Sequence, residues 1–333
     1  MLTVYILPVS GGGFVAQLGQ LAAISGMRPD AVFACSGGNV SAYLSMAGSW
    51  EREGIFSSMK TMSSDLFVRR WLGPLPSGIV FPITGSLYDR GSGLDSAMSS
   101  LFTTESSKRT EIWTGAYDNL ARSGQLFTNV GESIFDEELV KEGCSFVGCL
   151  PPIYMNGDLK LISEVCYSSA AMPFFTQPGN IQGRAYSDGG CMFSSPLMGL
   201  SPALIKKARS ESLKLRLIYF EPYDMDTYFD DVVLYGEFIS ILLHSAMIKD
   251  RSDAIEVIRT LSPGGITFTN HFPIIDGDFD WILQGLQGSH CLISLYHSVA
   301  HSIDITSFTP GQLIEKVREA ESMWGVRIWK SKT

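Results

Sequence analysis

The sequence predicts an α/β fold with a mostly parallel central sheet and helices on both faces of that sheet. Two short apolar runs, at 2–7 and 31–35, are typical of buried strands, and each leads through a glycine-rich turn into apolar residues at helical spacing. Strands that alternate with helices in this way pair in parallel, because the helix carries the chain back along the sheet. A chain of 333 residues, 45% hydrophobic and 18% charged, can also bury a large core.

The other elements follow in chain order. The two opening strands lead into helices at 14–25 and 37–47. The later predicted elements are a helix at 93–102, strands at 111–114 and 124–130, a strand and turn at 158–165, a short helix at 168–172, strands at 185–187 and 213–220, and helices at 228–261 and 311–323. No repeat or linker interrupts this order, so we expect one domain over 1–333.

Composition and charge exclude several classes of function. The net charge of −9 argues against nucleic-acid binding, which depends on lysine and arginine at the phosphates. The N-terminal segment lacks the features of a signal peptide, and no run of 18 apolar residues predicts a membrane span. The six cysteines form no pairing framework, so we expect free thiols and a cytoplasmic location.

One segment fits contact with a membrane surface. Residues 66–72 combine aliphatic and aromatic side chains with two arginines, a composition found in segments that lie in a membrane interface. The same composition fits a partly buried helix whose arginines face water. A transient contact with membranes is therefore one of two open interpretations of this segment.

The turn at 34–38, with the sequence Ala-Cys-Ser-Gly-Gly, is the strongest functional signal. A serine between a buried strand and a helix, with small neighbours two positions away, is the pattern of a nucleophile elbow. Ala34 stands where the G-x-S-x-G pattern has its first glycine. The same residues also fit an ordinary turn with Ser36 as a helix cap, so the turn alone leaves both interpretations open.

The glycine run after the first strand also allows two interpretations. Gly11, Gly13 and Ala16 complete a G-x-G-x-x-A dinucleotide fingerprint. That fingerprint needs an acidic residue at the end of the second strand, where this chain has Cys35 and Ser36. Backbone N–H groups that stabilise a developing oxyanion explain the glycines better, because larger residues would cover those donors.

A nucleophilic serine needs a base, and Asp188 is the best candidate for that base. The five histidines all lie in the last third of the chain, and none follows an obvious sheet strand. Asp188 follows a short extended segment and precedes Gly189 and Gly190, which allow a sharp turn. An Asp-Gly-Gly sequence can also be an ordinary turn, so other motifs in the chain are needed to distinguish the two interpretations.

Taken together, these motifs resemble the patatin-like acyl hydrolase family. The glycine-rich turn at 10–14 and the serine elbow at 34–38 are followed by a segment of the type A-S-x-A-x-P-x-x-F at 168–175. The D-G-G motif at 188–190 and an N-x-P-L-like tail at 194–197 complete the order. A weaker fifth match is the strand–turn–strand at 114–129. The resemblance covers 1–200 and implies that 201–333 complete one patatin-like domain, a three-layer sandwich related to α/β hydrolases.

The resemblance also implies a reaction and a site. Ser36 is the expected nucleophile and Asp188 the residue that accepts its proton, in a Ser–Asp dyad that needs no metal or cofactor. The substrate is an acyl lipid, either a phospholipid or a lysophospholipid. The expected oxyanion donors are the amides of Gly11, Gly12, Gly13 and Gly37. The residues expected to support the two turns are Ala34, Gly38, Gly189 and Gly190.

Two departures from the family pattern motivate an alternative. Phe14 stands where a basic residue often follows the glycine triplet, and Ala34 replaces a glycine at the elbow. Neither departure removes a reacting group. The alternative is a catalytically weak relative that binds a lipid or a protein partner, and a nucleotide-binding Rossmann protein is the second rival.

Overall fold

The protein folds around a central, mostly parallel sheet with helices on both faces, as the sequence predicts. The computed structural model describes residues 1–62, 68–69, 89–91, 93–173, 176–192, 195–213, 215–220, 267–269, 272–274, 279–284 and 308–328. The helices in these residues are α1 (Phe14–Ala23), α2 (Gly37–Ala47), α3 (Arg52–Ser58), α4 (Gly93–Leu101), α5 (Glu137–Phe146), α6 (Leu159–Ser169), α7 (Leu197–Ser210) and α8 (Pro310–Ile328).

The sheet has nine strands within the described ranges. They are β1 (Leu2–Leu7), β2 (Ala31–Cys35), β3 (Glu111–Asp118), β4 (Ser123–Thr128), β5 (Cys149–Tyr154), β6 (Gly179–Ile181), β7 (Arg184–Asp188), β8 (Leu215–Phe220) and β9 (Phe279–Gln284). Their order is β9-β8-β1-β2-β3-β4-β5, and β7, itself paired with β6, also pairs with β3. The strands from β9 to β3 are parallel, whereas β4 and β7 run antiparallel to β3.

Side chains of the central strands alternate between two apolar cores. In β1, Tyr5 and Leu7 face a core that includes α1, α2 and α8, while Val4 and Ile6 face a second core that includes α5 and α7. All four side chains are at most 1% exposed. A strand buried on both faces needs apolar residues at every position, which explains the continuous apolar runs in β1 and β2.

The segment at 158–165 is helical, so the strand and turn predicted there are wrong. The Asp158 carboxylate caps α6 by accepting two amides of the first turn, at 3.0 and 3.1 Å. Ile162 and Val165 then lie on the buried side of the helix, at helical spacing. The short helix predicted just afterwards is the end of α6, which stops at Ser169.

The remaining predicted elements that the structure describes are confirmed, with ends that differ by a few residues. The helix predicted at 228–261 and most of 66–72 lie outside the described residues. No helix in the described part of the chain combines the length and the apolar character needed to cross a membrane.

The last helix packs directly on the first. A β-carbon on Gly19 of α1 would lie 2.5 Å from the Cβ of Ala320 in α8, so the two helices are in very close contact there. Arg52 of α3 forms an ion pair with Glu321 of α8 and lies 5.0 Å over the ring of Phe56. β8 and β9 also extend the sheet beside β1, so described segments after residue 201 pack on elements from the first 60 residues.

Candidate active site

Ser36 occupies a strained turn between β2 and α2. Its φ of 53° and ψ of −128° lie outside the regions that L-residues favour, including the left-handed helical region. Ala34 lies within β2, where it pairs with Leu7 and Thr114, and it is not among the residues with positive φ. Its methyl group is fully buried in the apolar core, so this departure from the elbow pattern fits an ordinary strand conformation.

Close backbone contacts explain the two glycines after Ser36. A β-carbon on Gly37 would lie 2.5 Å from Ser10 Oγ and 2.6 Å from the carbonyl oxygen of Gly11. A β-carbon on Gly38 would lie 2.2 Å from the carbonyl oxygen of Leu7. Glycine therefore allows α2 to begin directly against the carboxyl end of β1.

The Gly38→Ala variant is expected to lose at least ~2 kcal/mol of stability, because the added methyl group would force β1 and α2 apart. Gly311→Ala is a matched control, since Gly311 is also the second residue of a helix but has no heavy atom closer than 3.9 Å to a β-carbon. The control is expected to be at least as stable as the wild type, because alanine favours helices. Urea denaturation measures both free energies of unfolding, and wild-type stability of Gly38→Ala would contradict the contact.

Two strands that approach each other end to end bring Ser36 and Asp188 together. β2 pairs with β3 as far as Cys35 opposite Gly115, and β7 runs the other way along β3 and ends at Asp188 opposite Ala116. Ser36 Oγ donates a hydrogen bond to Asp188 Oδ2 at 2.7 Å, across a sequence separation of 152 residues. The two residues that the sequence selects are therefore in direct contact.

Asp188 is a buried carboxyl group with two hydrogen-bond donors. The Gly190 amide donates to Asp188 Oδ1 at 2.7 Å, and Ser36 donates to the other oxygen. Burial raises the pKa of Asp188 to about 6, and the two hydrogen bonds partly oppose this increase. At neutral pH the group is mostly ionised, yet it is more basic than an ordinary aspartate, as a general base should be.

The glycines after Asp188 lie in a crowded region. A β-carbon on Gly189 would lie 2.4 Å from the carbonyl oxygen of Gly115 and 2.5 Å from Cys35 Sγ. Gly190 is less tightly packed, with the nearest atoms 3.1 Å away. The absence of a side chain at Gly189 therefore allows the ends of β7 and β2 to meet beside β3.

The glycine turn after β1 lies against the start of α2. Gly11–Gly13 form one 3₁₀ turn, and Gly11 has a φ of 47°, which glycine adopts readily. The Gly13 N–H donates to the carbonyl of Ser10 at 2.6 Å, so this amide is engaged within the turn. From the sequence, this amide is instead expected to be an oxyanion donor. The N–H groups of the first turn of α2, beginning with Gly37, form the positive end of the helix dipole, and within this turn the Asn39 N–H donates to the carbonyl of Ser36 at 3.0 Å.

Three buried polar side chains complete the surroundings of the turn. Ser169 Oγ accepts hydrogen bonds from the Ser36 N–H at 2.9 Å and from the Asn39 side-chain amide at 2.7 Å. Thr114 Oγ1 donates to Asn39 Oδ1 at 2.7 Å, and all three side chains are 0% exposed. Ser169 and Thr114 lie within the family motifs, but the sequence carries no signal that both contact the side chain of Asn39.

Phe14, which replaces the usual basic residue, belongs to the apolar core. Its side chain is 6% exposed, and its carbonyl accepts the Ser41 hydroxyl at 3.0 Å. This position therefore contributes packing beside the glycine turn instead of charge. The five histidines and three residues of the family motifs lie outside the described part of the chain: His244, His271, His290, His297, His301, Phe174, Phe175 and Ser194.

A mostly parallel sheet between two layers of helices, with a serine on a strained strand–helix turn, is the arrangement found in the α/β-hydrolase class of folds. The family model for the patatin-like phospholipase matches residues 7–201, and the chain belongs to this family. The patatin family generally hydrolyses lipid esters. Among solved structures, the chain is similar to the crystal structure of VipD from Legionella pneumophila, with 11% identity and a TM-score of 0.35 over 99% of this chain and 67% of that chain. A comparison with curated proteins finds no match.

Proposed function

We propose that the protein is a serine acyl hydrolase that cleaves the ester bonds of phospholipids or lysophospholipids through a Ser36–Asp188 dyad. The observation that carries this proposal is the 2.7 Å hydrogen bond from Ser36 Oγ to Asp188 Oδ2. The strained turn that presents Ser36, the basic character of Asp188 and the membership of the family all support it.

In the first half of the reaction, Ser36 Oγ attacks the ester carbonyl carbon while its proton passes to Asp188 Oδ2. The tetrahedral oxyanion is stabilised by the amides of Gly11, Gly12 and Gly37, with the positive end of the α2 dipole directed at the same point. Collapse of this intermediate breaks the bond to the alcohol oxygen, which takes the proton from Asp188. The lysophospholipid (from a phospholipid) or glycerophosphodiester (from a lysophospholipid) leaves, and the acyl group stays on Ser36.

In the second half, Asp188 removes a proton from a water molecule, and the resulting hydroxide attacks the acyl carbonyl. The second tetrahedral intermediate collapses, Ser36 Oγ regains a proton from Asp188, and the fatty acid is released. Both halves use one carboxylate in alternating roles. No metal or cofactor takes part in these steps.

Mixed vesicles test the proposed substrate class. Wild-type protein is incubated with vesicles that contain several phospholipids and lysophospholipids, and free fatty acids are measured by mass spectrometry. The expected result is fatty-acid release by the wild type and none by Ser36→Ala. Ser45→Ala is the matched control, because it removes a buried hydroxyl from the same helix, α2, without touching the turn. No release of fatty acids by folded wild-type protein would favour the alternative of a lipid- or partner-binding relative.

The pH dependence of hydrolysis follows from the same carboxyl group. Because the reaction needs ionised Asp188, kcat/KM for a soluble chromogenic ester is expected to rise through an apparent pKa of about 6 and to level off above it. Measurement of initial rates between about pH 4.5 and 8.5 gives the profile. A rate that decreases as the pH rises through this range would contradict the assignment of Asp188 as base.

A further inference from the structure

The end of α6 contacts both members of the Ser36–Asp188 pair. Ser169, the last residue of α6, accepts the Ser36 N–H at 2.9 Å. Two residues later, the carbonyl of Ala171 accepts the Asp188 N–H at 2.9 Å. The segment 169–171 therefore holds two groups that are 152 residues apart in the sequence.

The Ser169 hydroxyl is fully used in hydrogen bonds. It donates to the carbonyl of Gly115 in β3 and accepts from the Ser36 backbone and the Asn39 side chain. One donor and two acceptor sites are all that a serine hydroxyl has. Its direction is also fixed, because Thr114 donates to Asn39 Oδ1 and leaves the amide of Asn39 to point at Ser169.

This arrangement matters because Ser36 is in an unfavourable backbone conformation. Such conformations persist where the surroundings impose them through several contacts. The Ser169 hydroxyl bridges the Ser36 N–H and the Gly115 carbonyl at the place where β2 ends beside β3. The bridge restrains the nucleophile from the backbone side, while Asp188 holds it from the side chain.

We infer that Ser169 is a positioning residue for acyl transfer, whose hydroxyl, oriented by Asn39 and Thr114, holds Ser36 in the conformation that directs Oγ at Asp188. This inference rests on the proposed function and deepens it, because it assigns a role to a residue that touches no substrate. Ser169 acts on the geometry of the nucleophile and leaves the binding of the acyl chain unchanged.

Kinetics of Ser169→Ala on a soluble p-nitrophenyl acyl ester test the inference. The expected result is a decrease of about 100-fold in kcat with KM little changed, because a small displacement of a reacting group has an effect of this size. The pH midpoint of kcat/KM is expected to rise, since a looser Ser36 hydrogen bond lowers the pKa of Asp188 less. Ser168→Ala is the matched control, because Ser168 is buried in the same helix but packs against Gly179, and it should keep wild-type kinetics.

Thr114→Val provides a second variant should Ser169→Ala fail to fold. Valine keeps the shape of threonine but removes the hydroxyl that orients Asn39, so we expect a smaller decrease in kcat, which Thr114→Ser should avert. The inference would be overturned by a wild-type kcat and pH midpoint in folded Ser169→Ala. Where that variant does not fold, a wild-type kcat in Thr114→Val would overturn it.

Ser36→Ala is assayed alongside, to separate this inference from the proposed function. If Ser36→Ala is inactive, such a result refutes only the role of Ser169. Wild-type hydrolysis by Ser36→Ala would refute the proposed function.

Discussion

Replacement of Ser36 by glycine is expected to abolish acyl transfer and to give a more stable protein than replacement by alanine. Both variants lack the nucleophile, and loss of a serine nucleophile lowers kcat by about six orders of magnitude in well-studied serine hydrolases. Only glycine adopts a φ of 53° with a ψ of −128° without strain. The free energy stored at such a residue is about 1–3 kcal/mol, so Ser36→Gly should be more stable than Ser36→Ala by about that amount.

The comparison of these two variants isolates the backbone. Each variant loses the same hydrogen bond to Asp188, so that loss cancels from the difference between them. Guanidinium denaturation gives both free energies of unfolding, and a chromogenic ester assay gives both rates. A glycine variant that is less stable than the alanine variant would show that the turn at Ser36 holds no strain. That result would remove backbone strain as support for the role of Ser36 and leave the hydrogen bond to Asp188.

The Asp188→Asn variant is expected to hydrolyse esters about 10³-fold more slowly than the wild type, because asparagine keeps the shape of the carboxyl group but cannot accept the Ser36 proton. Asp118→Asn is the matched control. Asp118 is a buried carboxylate on the neighbouring strand β3, and its ion pair is with Arg184, at 2.7 Å, rather than with Ser36. The control is expected to keep its kcat, even where the loss of the ion pair lowers its stability. Wild-type turnover by Asp188→Asn would refute the dyad.

Asp188→Asn is also expected to be more stable than the wild type at pH 8. The pKa of Asp188 is raised from 3.8 to about 6 in the folded protein, so the folded state binds more protons than the unfolded state between these values. The stability contributed by the protonated group is therefore complete below about pH 4 and is lost as the pH rises through 6, a loss of about 3 kcal/mol. Asparagine does not ionise, so the difference between variant and wild type should grow over this range and then stay constant. Thermal unfolding at several pH values measures it.

The two proposed reacting groups could be selected from the sequence because each lies in a local pattern. Ser36 follows a recognisable strand and precedes two glycines, and Asp188 precedes two more. Their pairing follows from the order of motifs, and the structure gives its physical cause in two strands that meet beside β3. Ala34 is a departure from the pattern only in the sequence, since its backbone is that of an ordinary strand.

Other features depend on contacts that no local pattern contains. The hydrogen bonds of Ser169 join residues 130 and 133 positions apart, so they exist only once α6 has packed beside the elbow. The strand and turn predicted at 158–165 missed the N-terminal cap of α6, because an aspartate before an apolar segment also fits a turn before a strand. The hydrogen bond of the Gly13 amide could not be predicted from the sequence either, because it depends on how tightly the turn at 10–13 closes.

Labelling with a fluorophosphonate probe, followed by intact-mass measurement and peptide mapping, tests directly whether Ser36 is the nucleophile. We expect one covalent adduct on Ser36 in the wild type, no adduct in Ser36→Ala, and an adduct at the wild-type rate in Ser45→Ala. Folded wild-type protein that takes up no probe, or an adduct that persists in Ser36→Ala, would contradict the claim that Ser36 is the nucleophile.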